Sequence, residues 1–296
     1  MGCLLVFFTA SLRSLALKLG SFSYRDLWMH LLGRLGETAD CLTSLFLFMS
    51  CAIMLAGSGT VMQDVFSLPL PLGMLPCMFL SFLSCRGGGR GLMGINYALV
   101  PIKMLIITGV SLYLLHTTGP PAEPLELNPR GLVSPCWGIN ALLYVAYNLL
   151  FAAVILSTLP PCYGGPKGAA MGAGLMAILA HLLVEVLKSH PEVLSEPLPL
   201  LALVGKRAPY LYPVYALALW LAMTTTAAAN LYGLVTRLQS LFPFSPEGWA
   251  LLLLLFIYPL ACLGFTSLIV WVYPLFGYIG IFLLILLLWG LLDMVF

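Results

Sequence analysis

Charge is what this chain has least of. Asp, Glu, Lys and Arg supply only 8% of its 296 residues, and whole stretches of about twenty residues or more contain none of them. A water-soluble domain takes about a quarter of its residues from those four types, so this chain cannot build an ordinary solvated surface. Apolar residues reach 61% and the mean hydropathy is +1.04. Such a composition belongs inside a lipid bilayer.

Further absences narrow the chemistry. The eight cysteines (Cys3, Cys41, Cys51, Cys77, Cys85, Cys136, Cys162 and Cys262) include no CxxC, and no His pair stands at ligand spacing. They read as small packing residues, and neither a metal nor a cofactor is implied. The apolar spans hold no HExxH, no paired Asp and no Ser with a nearby His, so an enzyme is not expected. A net charge of +2 without a basic stripe excludes nucleic acid as a partner. No basic residue precedes the first apolar run, as a cleavable signal peptide would require, and Val6 stands where myristoylation needs Ser or Thr.

What is present is a series of apolar runs. Nine of them fall at roughly 3–19, 39–62, 68–85, 91–115, 133–159, 168–188, 208–236, 248–263 and 274–295. Crossing about 30 Å of hydrocarbon takes about 20 helical residues. Alternating barrel strands would place a polar residue at every second position, whereas Ala250–Ile257 and Ile279–Leu288 are apolar all round. The expected fold is therefore all-α, a polytopic membrane helical bundle, because lipid offers no partner for unpaired backbone groups.

Orientation follows from the basic residues. One set of alternate connections collects Arg13, Lys18, Arg25, Arg34, Arg86, Arg90, Lys167 and Arg237, while the other holds Arg130, Lys188, Lys206 and Arg207 with most of the acids. The first set is the cytoplasmic one. This sends the first run from outside to inside and puts Met1 on the outer face, from which we expect an upstream helix and part of the next to be missing. Residues 21–37 mix charge with Leu27, Trp28, Leu31 and Leu32 and read as a cytoplasmic interfacial helix. The 116–131 connection should be an external loop, and Leu198–Leu203 a short helix capping the bundle from outside.

The few polar groups within the runs are the candidates for function. Lys103 lies near the middle of the 91–115 run, two residues after Pro101. An ammonium at that depth costs several kcal/mol unless paired, hydrated or neutral, which makes Lys103 a candidate proton carrier, with a structural ion pair as the alternative. Thr224-Thr225-Thr226 with Asn230 form a second cluster, suited either to back-bonding along their own helix or to holding a small cation or polar ligand. Tyr144, Tyr147 and Asn148, with Asn140 earlier, form the third. A mid-span Asn can staple helices or contact a ligand. Ala56-Gly57-Ser58-Gly59 is a small-residue patch that either packs helices closely or makes room for a solute. The lone His116 and His181 read as structural. Pro213, Pro259, Pro274, Gly277 and Gly280 mark either kinks or broken helices with freed backbone groups.

Together, several of these residues form an ordered set: Ala56-Gly57-Ser58-Gly59 followed by Phe66 and Pro69, Gly91 with Asn96 and Val100-Pro101, Tyr147-Asn148, Thr225-Thr226 with Asn230-Leu231-Tyr232-Gly233, and Tyr273-Pro274-Leu275-Phe276-Gly277-Tyr278. In order and spacing, from about Ser23 to the C-terminus, the chain resembles the YkvI family of bacterial membrane proteins. That family is assigned to the amino acid, polyamine and organocation (APC) superfamily. The resemblance implies a leucine-transporter-like fold of two inverted five-helix repeats, with helices one and six unwound at the midplane around the substrate.

On this mapping the chain is one transmembrane domain, 1–296, holding about nine of ten core helices. Residues 1–20 are part of helix two, 21–37 the interfacial segment and 38–296 helices three to ten. The resemblance matches Lys103, Thr225 and Thr226, by helix and approximate depth, to the place of the coupling ion, sodium or a proton; Asn230 joins them as a candidate from its cluster, and Tyr144, Tyr147, Asn148, Gly57 and Ser58 are the candidate substrate contacts. The implied location is the bacterial inner membrane. The implied partners are the lipid bilayer and a small-molecule solute, with a homo-oligomer left open. The expected function is secondary active transport of a small polar organic solute, amino acid or amine-like, unless the chain is an inactive fragment. The alternative is a non-transporting sensor or assembly partner with the same fold.

Overall fold

The computed structural model describes residues 1–20, 23–86, 88–117, 132–159, 162 and 164–293. Among them every regular element is helical: α1 (Gly2–Leu19), α2 (Tyr24–Leu32), α3 (Gly36–Phe66), α4 (Leu70–Arg86), α5 (Gly88–Thr117), α6 (Trp137–Thr158), α7 (Pro166–Lys188), α8 (Pro199–Arg207), α9 (Tyr212–Gln239), α10 (Pro246–Ala261) and α11 (Phe265–Asp293). Each of the nine apolar runs is a helix. The connection expected as an external loop lies, beyond Thr117, outside the described residues.

Among the described residues seven helical spans are long and apolar enough to cross a membrane. α4 and α10 are apolar but have only 17 and 16 residues. At about 1.5 Å per residue they reach roughly 25 Å, somewhat less than a typical hydrocarbon core of about 30 Å. The sequence punctuates both tightly. Pro69 precedes α4, and Ser245 caps α10 by accepting from the Gly248 amide at 3.1 Å, with Pro246 in the first turn. Beyond α10, Gly264 takes a left-handed φ of 93° that a side chain would strain. α2 is capped the same way, Ser23 accepting from the Arg25 amide at 3.2 Å.

The chain divides into two compact units. The first comprises residues 1–46, 128–178 and 269–296. Its core joins Phe8 and Leu12 of α1, Leu27 and Trp28 of α2, and Ala146, Leu149 and Ala153 of α6, all buried. Phe46 packs on Phe151 and Phe276 with ring centroids 4.5 and 5.0 Å apart. α11 lies close on α6 because a Cβ at Gly280 would sit 3.0 Å from the Ala146 carbonyl, and one at Gly277 would sit 2.9 Å from the Leu143 side chain. These glycines are therefore contact points within an unbroken helix.

Arg13 is the unexpected member of that core. Counted from the sequence as a topological charge, it is only 2% exposed. Its Nη1 donates to the Leu156 carbonyl at 2.8 Å and the Leu159 carbonyl at 2.9 Å, and its Nε to the Gly164 carbonyl at 2.9 Å. The last carbonyls of a helix have no intrahelical donor, and a guanidinium beside the negative helix end satisfies several at once. Arg13 of α1 thus holds the C-terminal end of α6.

The second unit comprises residues 47–127 and 179–268. α9 runs through its centre, packed by α4, α5 and α10. The connection after α7 folds into the short α8, whose Leu200, Leu201, Leu203 and Val204 are buried with Val186, Val193, Leu114 and Tyr215. α3 and α4 approach closely: a Cβ at Gly73 would lie 2.8 Å from the Gly59 carbonyl. The turn between them holds Ser67 at a φ of 55°, a conformation stored in the tight reversal before Pro69.

The order of helix lengths repeats. α1 to α5 contain 18, 9, 31, 17 and 30 residues. α7 to α11 contain 23, 9, 28, 16 and 29. In both series the nine-residue helix leads through a three-residue 3₁₀ turn, Gly33–Leu35 or Pro209–Leu211, toward the long helix that follows.

Arg13→Ala should cost about 2 kcal/mol of stability, because carbonyls at the end of α6 lose a charged donor. Thermal unfolding in detergent measures it, and Arg13→Lys should restore only part because a single ammonium lacks the fork. Cys136 and Cys162 bracket α6, so a membrane-impermeant maleimide applied to intact cells should modify Cys136 and spare Cys162. The amides of Ile139 and Gly138 hold the Cys136 thiol below the ordinary thiol range, so its labelling should persist to lower pH than for a free cysteine, as peptide mapping across pH would show.

Candidate functional site

Most hydroxyls in these helices do nothing distinctive. Thr9, Thr43, Thr60 and Ser111 each donate to the carbonyl four residues back on their own helix, at 2.6–3.0 Å. This is the inexpensive way to carry a hydroxyl in lipid. The exceptions gather on α9 and its neighbours in the second unit.

Lys103 donates from Nζ to Thr225 Oγ1 at 2.8 Å, joining α5 to α9. Thr225 Oγ1 donates in turn to the Ala222 carbonyl at 3.1 Å, and Thr226 donates to the same carbonyl at 2.8 Å. Lys103 is half-buried, and among the described residues no carboxylate lies within ion-pair distance of its amine. A charged amine whose resolved side-chain partner is a neutral hydroxyl is weakly compensated. Pro101 stands two residues earlier within a continuous α5. The sequence brought Lys103 and Thr225 forward separately; folding makes them one pair across 122 positions.

Asn230 is placed apart from that pair. It is 4% exposed, and its Nδ2 donates to Ser50 Oγ on α3 at 2.9 Å. One turn away Cys51 Sγ points to the Ala227 carbonyl at 3.6 Å. These contacts staple α3 to α9. Gly57 and Ser58 sit farther along α3 in close packing. A Cβ at Gly57 would meet Met223 and Phe265 side chains at 2.8 Å, and Ser58 is fully buried with its hydroxyl on the Leu55 carbonyl at 2.8 Å.

Tyr144, Tyr147 and Asn148 belong to the first unit. The Tyr147 ring stacks on Tyr273 of α11 with centroids 4.9 Å apart and planes 9° from parallel, and Tyr144 meets it edge-on at 5.4 Å. Tyr273 was not singled out as a site residue from the sequence. Its signal was available, since it opens the Tyr273-Pro274 step, but nothing in one sequence joins it to Tyr147. Asn148 spends its Nδ2 on the Tyr144 carbonyl at 2.8 Å. Asn140 is used locally, donating to the Ser134 carbonyl at 2.8 Å and accepting from the Ser134 amide at 3.1 Å.

One expectation from the resemblance fails in α6. The sixth helix was expected to be unwound at the midplane, yet α6 is continuous from Trp137 to Thr158. The reason is compositional. After Gly138 the helix contains no Gly or Pro, so nothing interrupts its hydrogen bonds. The breakers, Pro160, Pro161, Gly164 and Gly165, come after its end, and the two prolines lie outside the described residues.

Comparison with known proteins accords with this architecture. The sequence matches no protein-family model. It is 24% identical to the uncharacterized membrane protein YkvI of Bacillus subtilis (strain 168) over 279 residues, covering 92% of this chain and 79% of that protein. It is 25% identical to the uncharacterized protein YyaD of the same organism over 291 residues, 96% of this chain and 83% of that one. The chain is a polytopic helical membrane protein similar to YkvI. The similarity spans both units.

The Lys103–Thr225 contact is measurable. In a double-mutant cycle of Lys103→Met and Thr225→Val, unfolding in detergent should give a coupling of about 1 kcal/mol, at the upper side of polar contacts between membrane helices. Lys103→Met alone should leave stability unchanged or raise it, because it removes a half-buried charge together with its desolvation cost.

Proposed function

We propose that this chain is a secondary active transporter that moves a small polar organic solute, amino acid or amine-like, coupled to protons. The observation that carries the reading is the amine of Lys103 bound to Thr225 at 2.8 Å within a membrane-crossing helix pair. An intramembrane amine with a neutral partner is costly as a permanent structural element and serviceable as a proton carrier. Its Nζ already occupies the Thr225 oxygen that a sodium ion would need, which favours a proton over sodium.

The repeated order of helix lengths supports the APC assignment and its inverted repeat. Suppose that α1, α3, α4, α5, α6, α7, α9, α10 and α11 each cross the membrane once. Corresponding members of the two series, such as α1 and α7 or α3 and α9, are then five crossings apart. An odd number reverses direction, so each partner runs opposite to its counterpart, and a repeat of this period in such a chain is necessarily inverted. Inverted repeats are a recurring construction of secondary transporters. In this reading Tyr144, Tyr147, Tyr273 and Asn148 contact the solute, Lys103 with Thr225 and Thr226 couples the proton, and Asn230, Gly57 and Ser58 hold the packing that positions α9.

The test is uptake by the purified chain in proteoliposomes, with amino acids and amines offered under an imposed pH gradient. Gradient-driven accumulation is expected. Lys103→Gln should reduce it by roughly tenfold, the size of an ordinary coupling free energy, while exchange of internal for external solute persists. Accumulation driven by sodium alone would overturn the proton assignment. Solute binding without flux would replace the transporter with a sensor of the same fold.

A further inference from the structure

Three tyrosine rings of the first unit meet halfway along α6. Tyr147 stands midway between Trp137 and Thr158, the two ends of that helix. Its ring lies parallel to that of Tyr273 on α11, with centroids 4.9 Å apart, and Tyr144 meets it at 69° with centroids 5.4 Å apart. All three tyrosines are half-buried, as is Asn148 beside them. Asn148 spends its Nδ2 on the Tyr144 carbonyl at 2.8 Å, and its Oδ1 is a hydrogen-bond acceptor on the same stretch of helix.

The two helices that carry these rings are uncharged. α6 has no Asp, Glu, Lys or Arg from Trp137 to Thr158, and α11 has none from Phe265 to Leu292. Arg13 reaches α6 only at its end, where it binds the Leu156 and Leu159 carbonyls. Leu156 is separated from Tyr147 by more than two helical turns, about 13 Å along the axis. A carboxylate among the tyrosines would therefore meet no ammonium or guanidinium of α6 or α11, and would face the negative side of the ring quadrupoles. An ammonium meets the opposite field. Ring faces attract it, more strongly where water is excluded, and an amide oxygen accepts its N–H.

Given the transport reading that Tyr144, Tyr147, Tyr273 and Asn148 contact the solute, we infer that this solute is an organic amine and not an amino acid. It binds as its cation, through the ring faces and Asn148 Oδ1. The carboxylate is the group that the site rejects, because neither helix offers it a counter-charge. Selectivity of this kind comes from a penalty on the wrong solute as much as from attraction for the right one.

Equilibrium binding to the purified full chain in detergent at neutral pH tests this with matched probes, isopentylamine against leucine and putrescine against ornithine. Both members of a pair carry an ammonium, so the α-carboxylate is what separates them. Each amine should bind about tenfold more tightly than its amino acid. A second measurement isolates the ring face. In Tyr147→Phe, adding one, two and then three fluorines to the new ring keeps its shape while withdrawing electrons from its face, and amine affinity should fall at each step. A ring that serves packing alone would show no such gradation. An amino acid that binds as tightly as its amine, an amine affinity indifferent to fluorination, or no binding of either amine overturns the inference. Amine binding without uptake in proteoliposomes leaves it standing and overturns transport; amino acid uptake without amine binding does the reverse.

Discussion

Hydrocarbon gives a polar group no solvent to fall back on, and the placement of nearly every hydroxyl, amide and charge in this chain follows from that constraint. The backbone answers it by making every regular element among the described residues a helix. Side chains answer it in steps of increasing reach. Hydroxyls of Thr9, Thr43, Thr60 and Ser111 stay on their own helix. Asn230 reaches Ser50 on a neighbour. Arg13 spans from α1 to the end of α6 and the turn beyond. Only after this ordinary accommodation is subtracted does Lys103 with Thr225 stand out.

The same subtraction changes the meaning of the glycines. A small residue in a membrane helix either lets another helix approach or exposes backbone to a ligand, and the two are indistinguishable in a sequence. Gly57, Gly59, Gly73, Gly277 and Gly280 all have neighbours within about the distance a Cβ would occupy. They bring helices together, α11 on α6 in the first unit and α3 on α4 and α9 in the second. The prolines of α4, α5, α10 and α11 likewise lie inside continuous helices. Neighbouring helices tolerate the missing donor there, as is common in membranes.

Arg13 shows where reading charge in one dimension stops. As a count it contributes to orientation, because basic residues resist transfer across the membrane. As a side chain it is interior, since the free carbonyls at a helix end make a site that a planar guanidinium fits better than water does. The two roles are compatible, and only the fold reveals the second. Tyr273 is the complementary case. Its aromatic character was visible, but its stacking on Tyr147 depends on α11 passing α6 at Gly277 and Gly280, a relation between segments 126 positions apart.

The sequence by itself determined the solvent, the helical class, the nine apolar runs, and even the short helices α2 and α8, because hydropathy and segment length are local quantities measured against a bilayer of known thickness. It also identified Lys103, Thr225 and Asn230 as polar groups in need of partners. Which partner each took was decided by tertiary structure alone: Lys103 with Thr225, and Asn230 with Ser50. Pairing depends on rotation about helix axes and on close approach at glycines. Those follow from packing over the whole surface of a helix, which no single residue records.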